Sequence, residues 1–426
     1  MHRKIRGTSR QNDRSLAGEG LEPCESSHMA ESGARALLHR PLAFTLVAAL
    51  ALLGACGRGP ARSGVSARRA AVAATQLQRD YRAHSGLFCP RSSNCWWWTA
   101  NDLTALADYG QRAHTPAYLP DFATTFRRAA ALGPARGRIG PFLDTWNDDD
   151  GWWGLAWLAA YRYARPYDRA QAARYLALSE AIFRHVSGQW NTSVCGGGLW
   201  QNANPTHTKD AIANELFLSL SAQLSLATGR SSYLRWANRE WTWFQAAGFI
   251  GPNHLVYDHL QANCAPRGTQ YWLANQGALL GGLAAVYQAE RTADPAAART
   301  ALAQAEGVAG CVTSAACGGN PQVAQPTLRS AGGILTEACK TSPCTYAPAW
   351  VGKGVFVRNL AALNGLTGRY RTYLAHNAAS LWAQDRGTSG QFGFYWSNPP
   401  AFYLPAGGSA PVLGEALDLL VTQLRG

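Results

Sequence analysis

Alanine and leucine recur at helical spacing along most of the chain, in blocks separated by Gly, Pro and Asn. The blocks cover residues 70–83, 103–109, 122–131, 154–164, 170–186 and 210–227. They resume over 233–247, 277–290, 296–305, 355–363 and 370–382. Ala and Leu are strong helix formers, and the separators have ordinary turn length. The pattern predicts about twelve helices joined by short connections. That is more than one bundle core needs and too regular for several domains, so one closed all-α domain is expected over 69–426.

A weak internal repeat sharpens this expectation. Thr228-Gly229-Arg230 leads to Tyr233-Leu234 and Ala237-Asn238, while Thr367-Gly368-Arg369 leads to Tyr373-Leu374 and Asn377-Ala378. Tyr175-Leu176 followed by Glu180-Ala181 is a looser copy. A helix that ends at a Gly turn, followed by one that starts with an aromatic-Leu pair, is the unit of stacked helical hairpins. Six such hairpins closed in a ring form an (α/α)6 barrel, and an open helical solenoid is the alternative.

The apolar run 42–53 is too short to span a membrane stably, and Arg35 and Arg40 precede it, as in a secretory signal. Leu53-Gly54-Ala55-Cys56 resembles a bacterial lipobox, which implies export with a lipid anchor at Cys56; a cleaved signal with secretion or periplasmic release is the alternative. Residues 1–56 are therefore expected to be leader and signal, with translation starting at Met29, and 57–68 to be a flexible tether. Of ten cysteines, Cys24 and Cys56 fall in this region and leave eight, an even number suited to an oxidising compartment. Proximity pairs Cys89 with Cys95, Cys311 with Cys317 and Cys339 with Cys344, leaving Cys195 to meet Cys264 across the fold. No zinc spacing occurs, and the histidines are scattered.

The leader's seven Lys and Arg against five Asp and Glu leave +11 of the formal +13 on the remainder. Such a surface suits anionic envelope polymers or lipid headgroups. The positive residues are mostly single arginines spread through helices, so nucleic acid is not an expected partner.

Against this background the run Asn147-Asp148-Asp149-Asp150-Gly151-Trp152-Trp153 stands out. Cutting a sugar chain takes one carboxyl that donates a proton and a second that attacks the anomeric carbon or activates water. Crowded carboxylates cannot all ionise, so one keeps a proton near neutral pH. Two other readings remain open: a calcium ligand set within 144–150, and acids gathered at a helix N-terminus by its dipole. Gly196-Gly197-Gly198 lacks the Lys-Ser/Thr of a phosphate loop, which favours a tight turn or close backbone approach to a neutral sugar. Most of the 16 tryptophans belong in a core, while Trp152, Trp153 and Trp200 are candidates for a sugar-binding groove, with 96–98 as a further source.

These blocks, taken in order, resemble glycoside hydrolase family 76, the endo-α-1,6-mannanases. The resemblance runs through Asp148-Asp149-Asp150-Gly151-Trp152-Trp153-Gly154, then Cys195-Gly196-Gly197-Gly198-Leu199-Trp200, then the helix start Lys209-Asp210-Ala211-Ile212-Ala213-Asn214-Glu215-Leu216. Asn275-Gln276-Gly277 with Gly281-Gly282, residues 353–358 and Trp396 complete it. It implies an (α/α)6 barrel and a retaining mechanism with Asp148 as nucleophile and Asp149 as acid/base; a frame shifted by one would give Asp149 and Asp150. It also implies that Asp150, Trp152, Trp153, Gly197, Gly198, Trp200, Asn214, Asn275 and Gln276 bind substrate, although Asn214 and Asn275 also suit capping or helix-to-helix bonding. Asp210 and Ala274 depart from the family's Asn and Tyr. The implied partner is α-mannan or its oligosaccharides, with no cofactor and a monomeric chain. A transglycosidase on the same scaffold and a non-catalytic glycan-binding lipoprotein are the alternatives.

Overall fold

The structure is a computed structural model. It describes residues 60–88, 95–132, 138–203, 208–267, 271–314, 328–337, 339, 344, 349–397 and 409–424. The expected leader and Cys56 lie outside these residues. The described part carries twelve α-helices: α1 (Pro60–Asp80), α2 (Cys95–Arg112), α3 (Leu119–Leu132), α4 (Asn147–Ala164), α5 (Arg169–Gly188) and α6 (Ala211–Thr228), then α7 (Ser231–Ala246), α8 (Leu273–Glu290), α9 (Pro295–Thr313), α10 (Ala349–Thr367), α11 (Arg371–Gln384) and α12 (Ala410–Val421).

Two kinds of helix follow from two kinds of burial. In α8 every residue from Leu273 to Val286 is buried, and in α12 every residue from Ala410 to Val421. A helix without a polar face must be covered on all sides. In α5, by contrast, Ala172, Tyr175, Ser179, Ile182, Phe183 and Val186 form one buried stripe at three- and four-residue spacing. Accordingly α2, α4, α6, α8, α10 and α12 pack each against the next, and α12 returns to α2, closing an inner ring of six. Outside it α1 lies on α12, α5 on α4, α7 on α6, α9 on α8, and α11 between α10 and α12. Helix α3 meets α4 edge-on through Phe122 with Tyr163 and Phe126 with Trp157. This is the (α/α)6 barrel, and the α12–α2 contact excludes the open solenoid. Close approach within the ring depends on small residues: a Cβ on Gly277 of α8 would meet the Phe356 backbone of α10 at 2.6 Å.

The turns from inner to outer helices are tight, and Gly229 and Gly368 both adopt φ 72° there, as the repeat requires. The opposite connections, from outer to inner helices, are longer. After α1, α3, α7, α9 and α11 they fold into small antiparallel bridges, such as Ile250 with Val256 and Arg329 with Leu335. A three-stranded sheet of β1 (Lys209–Asp210), β2 (His259–Leu260) and β3 (Pro266–Arg267) sits at the same end, with Asp210 opposite His259. These loops surround the N-terminal ends of the inner helices.

Several boundaries differ from the sequence expectation. Residues 60–68 belong to α1 rather than to a flexible tether, because Ala and Arg continue the helix N-terminally. Helices α2, α4 and α10 begin six to eight residues earlier than their Ala/Leu blocks. Helix α12 falls on none of the blocks, since Pro411 and Gly414 interrupt its composition. Cys195–Cys264 and Cys339–Cys344 are bonded as expected. Cys95 and Cys311 are also disulfide-bonded, and their expected partners Cys89 and Cys317 lie outside the described residues. Among the described residues no helix is long and apolar enough to cross a membrane.

Candidate active site

The acid run forms the first turn of α4, facing the mouth of the barrel, and its three carboxyls have different surroundings. Asp148 and Asp149 are half-buried, whereas Asp150 has no exposed surface. The Asp150 carboxylate accepts the Asp144 backbone N–H at 2.9 Å, with His185 Nε2 3.6 Å away. It therefore braces the loop before α4 from inside, with no surface of its own exposed at the mouth.

Asp144 is a fourth acid of this cluster. Its carboxylate accepts the Trp146 N–H at 2.6 Å and also accepts a hydrogen bond from the Asp149 carboxyl. Burial raises the Asp144 pKa to about 6. Burial, then the Asp144 charge, raises Asp148 to about 7. Asp149 is raised well above the carboxylate range, by burial first and then by Asp148 and Asp144. Asp210, which caps α6 through the Ala213 N–H, is likewise raised by burial and by the Asp148 and Asp258 charges. Asp149 thus holds its proton longer than Asp148 does. Among the described residues no three Asp, Glu, His or Cys side chains converge to hold a cation.

The rim beside the acids is built by polar side chains that bind backbone. Asn147 donates its N–H to Gln201 O at 2.9 Å and its amide to Trp200 O at 2.8 Å, joining the acid turn to the glycine-rich loop. Asn214 accepts Leu199 N–H at 2.7 Å and donates to Leu199 O and Asp210 O, so it positions that loop. Lys209 Nζ donates to Asn191 O and Val194 O, both at 2.7 Å, and to Gly197 O. It lies 5.2 Å from the Trp200 ring centroid, and burial lowers its pKa to about 8. Gly198, at φ 85°, packs so closely on Trp243 that a Cβ would come within 2.1 Å, and Gly197 is similarly covered. Gln276 clasps both polar backbone atoms of Val256. Asn214, Gln276, Gly197 and Gly198 thus all take part in holding these loops. Asn275 is buried in the first turn of α8, and its Nδ2 has no partner among the described residues.

The tryptophans divide differently from the expectation. Trp153 is fully buried between Trp96, Phe142 and Trp157, with centroids at 4.8, 4.6 and 5.9 Å. Trp152 is 6% exposed and stacks on Trp97. Trp153 thus packs with Trp157 toward the outer helices α3 and α5, while Trp152 faces the interior of the ring. Trp200 does remain half-exposed at the rim, as do Trp97, Trp146 and Trp272. Trp146 and Trp272 immediately precede α4 and α8, a placement just before an inner helix that marks the mouth. Asp144 is the other residue missed from sequence; an Asp that accepts the amide two residues on, just before a helix, is its signal.

The protein-family model for glycosyl hydrolase family 76 matches residues 66–419. The chain belongs to this family. Among similar family members is the mannan endo-1,6-alpha-mannosidase DCW1 of Eremothecium gossypii, 30% identical over 264 residues, or 57% of this chain and 58% of that one. The DCW1 of Candida albicans is 34% identical over 152 residues, 33% of each chain. The chain thus spans less than two thirds of the length of these relatives. Two family 76 folds resemble it along most of their length. An inactive double-aspartate variant of the alpha-1,6-mannanase GH76A of Salegentibacter sp. HEL1_6, in complex with alpha-1,6-mannotetrose, has a TM-score of 0.69 at 17% identity, covering 84% of this chain and 98% of that one. Dfg5 from Chaetomium thermophilum in complex with glucosamine has a TM-score of 0.68 at 21% identity, covering 85% and 90%.

Proposed function

We propose that this family 76 chain is an exported endo-α-1,6-mannosidase that works with retention, Asp148 being the nucleophile and Asp149 the acid/base. The observation that supports this reading is the pair of adjacent half-buried carboxyls, Asp148 and Asp149, in the first turn of α4 beside Asp144, with the third acid, Asp150, buried against the Asp144 N–H; burial and their mutual charges raise the pKa values of both. Asp149 protonates the glycosidic oxygen as a carboxylate oxygen of Asp148 attacks the anomeric carbon, and the leaving sugar departs as an alcohol. A glycosyl ester on Asp148 results. Asp149, now ionised, takes a proton from water, the water oxygen attacks the same carbon, and the Asp148 carboxylate leaves with the product as the α anomer. Asp144 is the positioning acid that keeps the Asp149 proton in place.

The α-1,6 linkage is supported by the names of the relatives and by the mannotetrose in the Salegentibacter complex. Trp200, Trp97, Trp146 and Trp272 supply half-exposed aromatic faces for sugar rings at the same mouth. Export, with a lipid anchor at Cys56, fits the signal-like run and the disulfides.

The test is product analysis by NMR on linear α-1,6-mannan, using residues 57–426 beside Asp148→Asn, Asp149→Asn and Asp150→Asn. Release of shorter oligosaccharides first as the α anomer is expected, with loss of turnover in the first two variants and retention in the third. Longer products would mean transglycosylation instead, binding without turnover a lectin-like protein, and loss only in the Asp149 and Asp150 variants the shifted register.

A further inference from the structure

The barrel axis is open at the end remote from the acids. A cavity of about 570 Å³ is walled by α2, α4, α6, α8 and α10 and runs from Trp152, Leu216 and Ala278 toward the C-terminal ends of these helices. Leu155, Ala159 and Arg162 come from α4, and Leu216, Ser219 and Gln223 from α6. Its floor is Trp152, one helical turn beyond Asp148, so the indole stands between this lumen and the acid cluster.

The charges in the wall are unbalanced. Arg112, Arg162, Arg165 and Arg358 line the lumen with Asp108 as the one acid among the lining residues. Arg358 is paired with Asp418 at 3.0 Å and hydrogen-bonded to Asn101. Arg162 donates to Gln223 Oε1 at 2.8 Å, but among the described residues neither it nor Arg112 has a carboxylate within 4.0 Å. Arg112, Arg162 and Arg358 all act electrostatically on Asp108, so three cations gather around one carboxylate. With Arg358 offset by Asp418 and one of Arg112 and Arg162 facing Asp108, the other of that pair remains without a carboxylate, as does the exposed Arg165. Burial disfavours the Arg162 cation, a cost that an incoming anion relieves. Arginines in the last turns of α2 and α4 complement helix dipoles, but an arginine can do that from solvent. The dipole does not require Arg162 to turn into the lumen.

We propose that this lumen is a binding site, separate from the acid pair, for a sugar phosphate whose phosphate is held by Arg112 and Arg162. Guanidinium groups suit a phosphate dianion, and Arg112 and Arg162 face the same lumen. Gln288 and Asn359, whose amide nitrogens bond Ala284 O and Val355 O of their own helices, keep their amide oxygens for hydroxyl groups, and the volume exceeds what free phosphate fills. The proposal does not rest on the glycosidase reading.

Isothermal titration calorimetry of the full chain with glucose 6-phosphate, inorganic phosphate and glucose tests it. Glucose 6-phosphate is expected to bind at least about tenfold more tightly than either of the others. Arg162→Gln and Arg112→Gln should each weaken it by about tenfold or more, while Asp148→Asn binds as the unmodified chain does. Thermal melts check the folding of each variant, and Arg112→Gln, at the more open rim, carries the comparison if Arg162→Gln is not folded. Absence of binding by the unmodified chain, unchanged affinity in the folded arginine variants, or equal affinity for inorganic phosphate would overturn the proposal.

Discussion

Replacing Asp148 with Asn is expected to stabilise the protein in mildly alkaline solution while it removes turnover. Burial and the Asp144 charge lift the Asp148 carboxyl from 3.8 to about 7. A folded pKa raised above the unfolded one means that wild-type stability is complete below about pH 4 and lost as pH rises through about 7, since the folded state holds the proton more tightly. At about 1.4 kcal/mol per pH unit the gap sets a ceiling of roughly 4 kcal/mol near pH 8. Asp148 keeps some contact with solvent, and screening brings the expected gain to about 2 kcal/mol. The unit 57–426, at about 2.1 cal/mol/K per residue, unfolds with an entropy of about 0.8 kcal/mol/K, so the variant should melt roughly 3 °C higher. Thermal melts of both proteins near pH 4 and near pH 8 measure this. The two should coincide at the lower pH and separate at the higher one; a difference that ignores pH, or that disfavours the variant near pH 8, would refute the reasoning.

Three further outcomes are expected. Asp144→Asn removes a negative charge and the acceptor of the Asp149 proton, so both limbs of the pH–rate profile on α-1,6-mannan should move to lower pH by about one unit; an unmoved profile would remove Asp144 from the site. Gly198→Ala forces a Cβ against Trp243 at φ 85° and should cost at least about 3 kcal/mol in denaturant melts, against about 1 kcal/mol for Gly196→Ala, where φ is 71° and the space is open. Equal losses would contradict the packing. The Cys195→Ser, Cys264→Ser double variant opens a link across 69 residues, which loop entropy values at roughly 4 kcal/mol, and its KM for mannan should rise because the glycine-rich loop loses its tie. Unchanged stability and KM would refute that role.

The helices were legible because inner helices of a closed ring are apolar all round and outer ones carry a stripe, and both read as Ala/Leu blocks. Their N-terminal ends were not. There the sequence turns to Trp96-Trp97-Trp98, to Asn147 with its three aspartates, and to Ala349-Trp350, residues that resemble loop although they already lie in helix. A first turn that must face a mouth trades helix propensity for chemistry, so composition fails at the site while it succeeds elsewhere. The tryptophans show the complementary failure. Trp152 and Trp153 sit beside the acids in sequence, yet helical periodicity buries both, Trp152 in the ring and Trp153 against the outer layer, whereas Trp146, one residue before the helix, stays at the rim. Asn214 could be read from sequence as a sugar ligand or as a capping residue, and Gln276 as a sugar ligand; that both also clasp backbone of the mouth loops is visible only once those loops are packed.

The six inner helices share one direction, opposite to that of the outer ones, so each end of the ring carries its own local helix-terminus charge. Helix N-termini converge at the end that carries Asp148, Asp149 and Asp210, and C-termini at the end that carries Arg112 and Arg162. Each N-terminus favours a nearby carboxylate by about 0.3–1 kcal/mol. The Asp148 pKa of about 7 shows that burial and like charge outweigh this at the acid end by several-fold. The dipoles therefore do not make the acids ionise; they limit how far the pKa values rise. On the proposed reading, the double displacement draws its two carboxyls from adjacent half-buried residues of one helical turn, where burial and their mutual charges raise both pKa values.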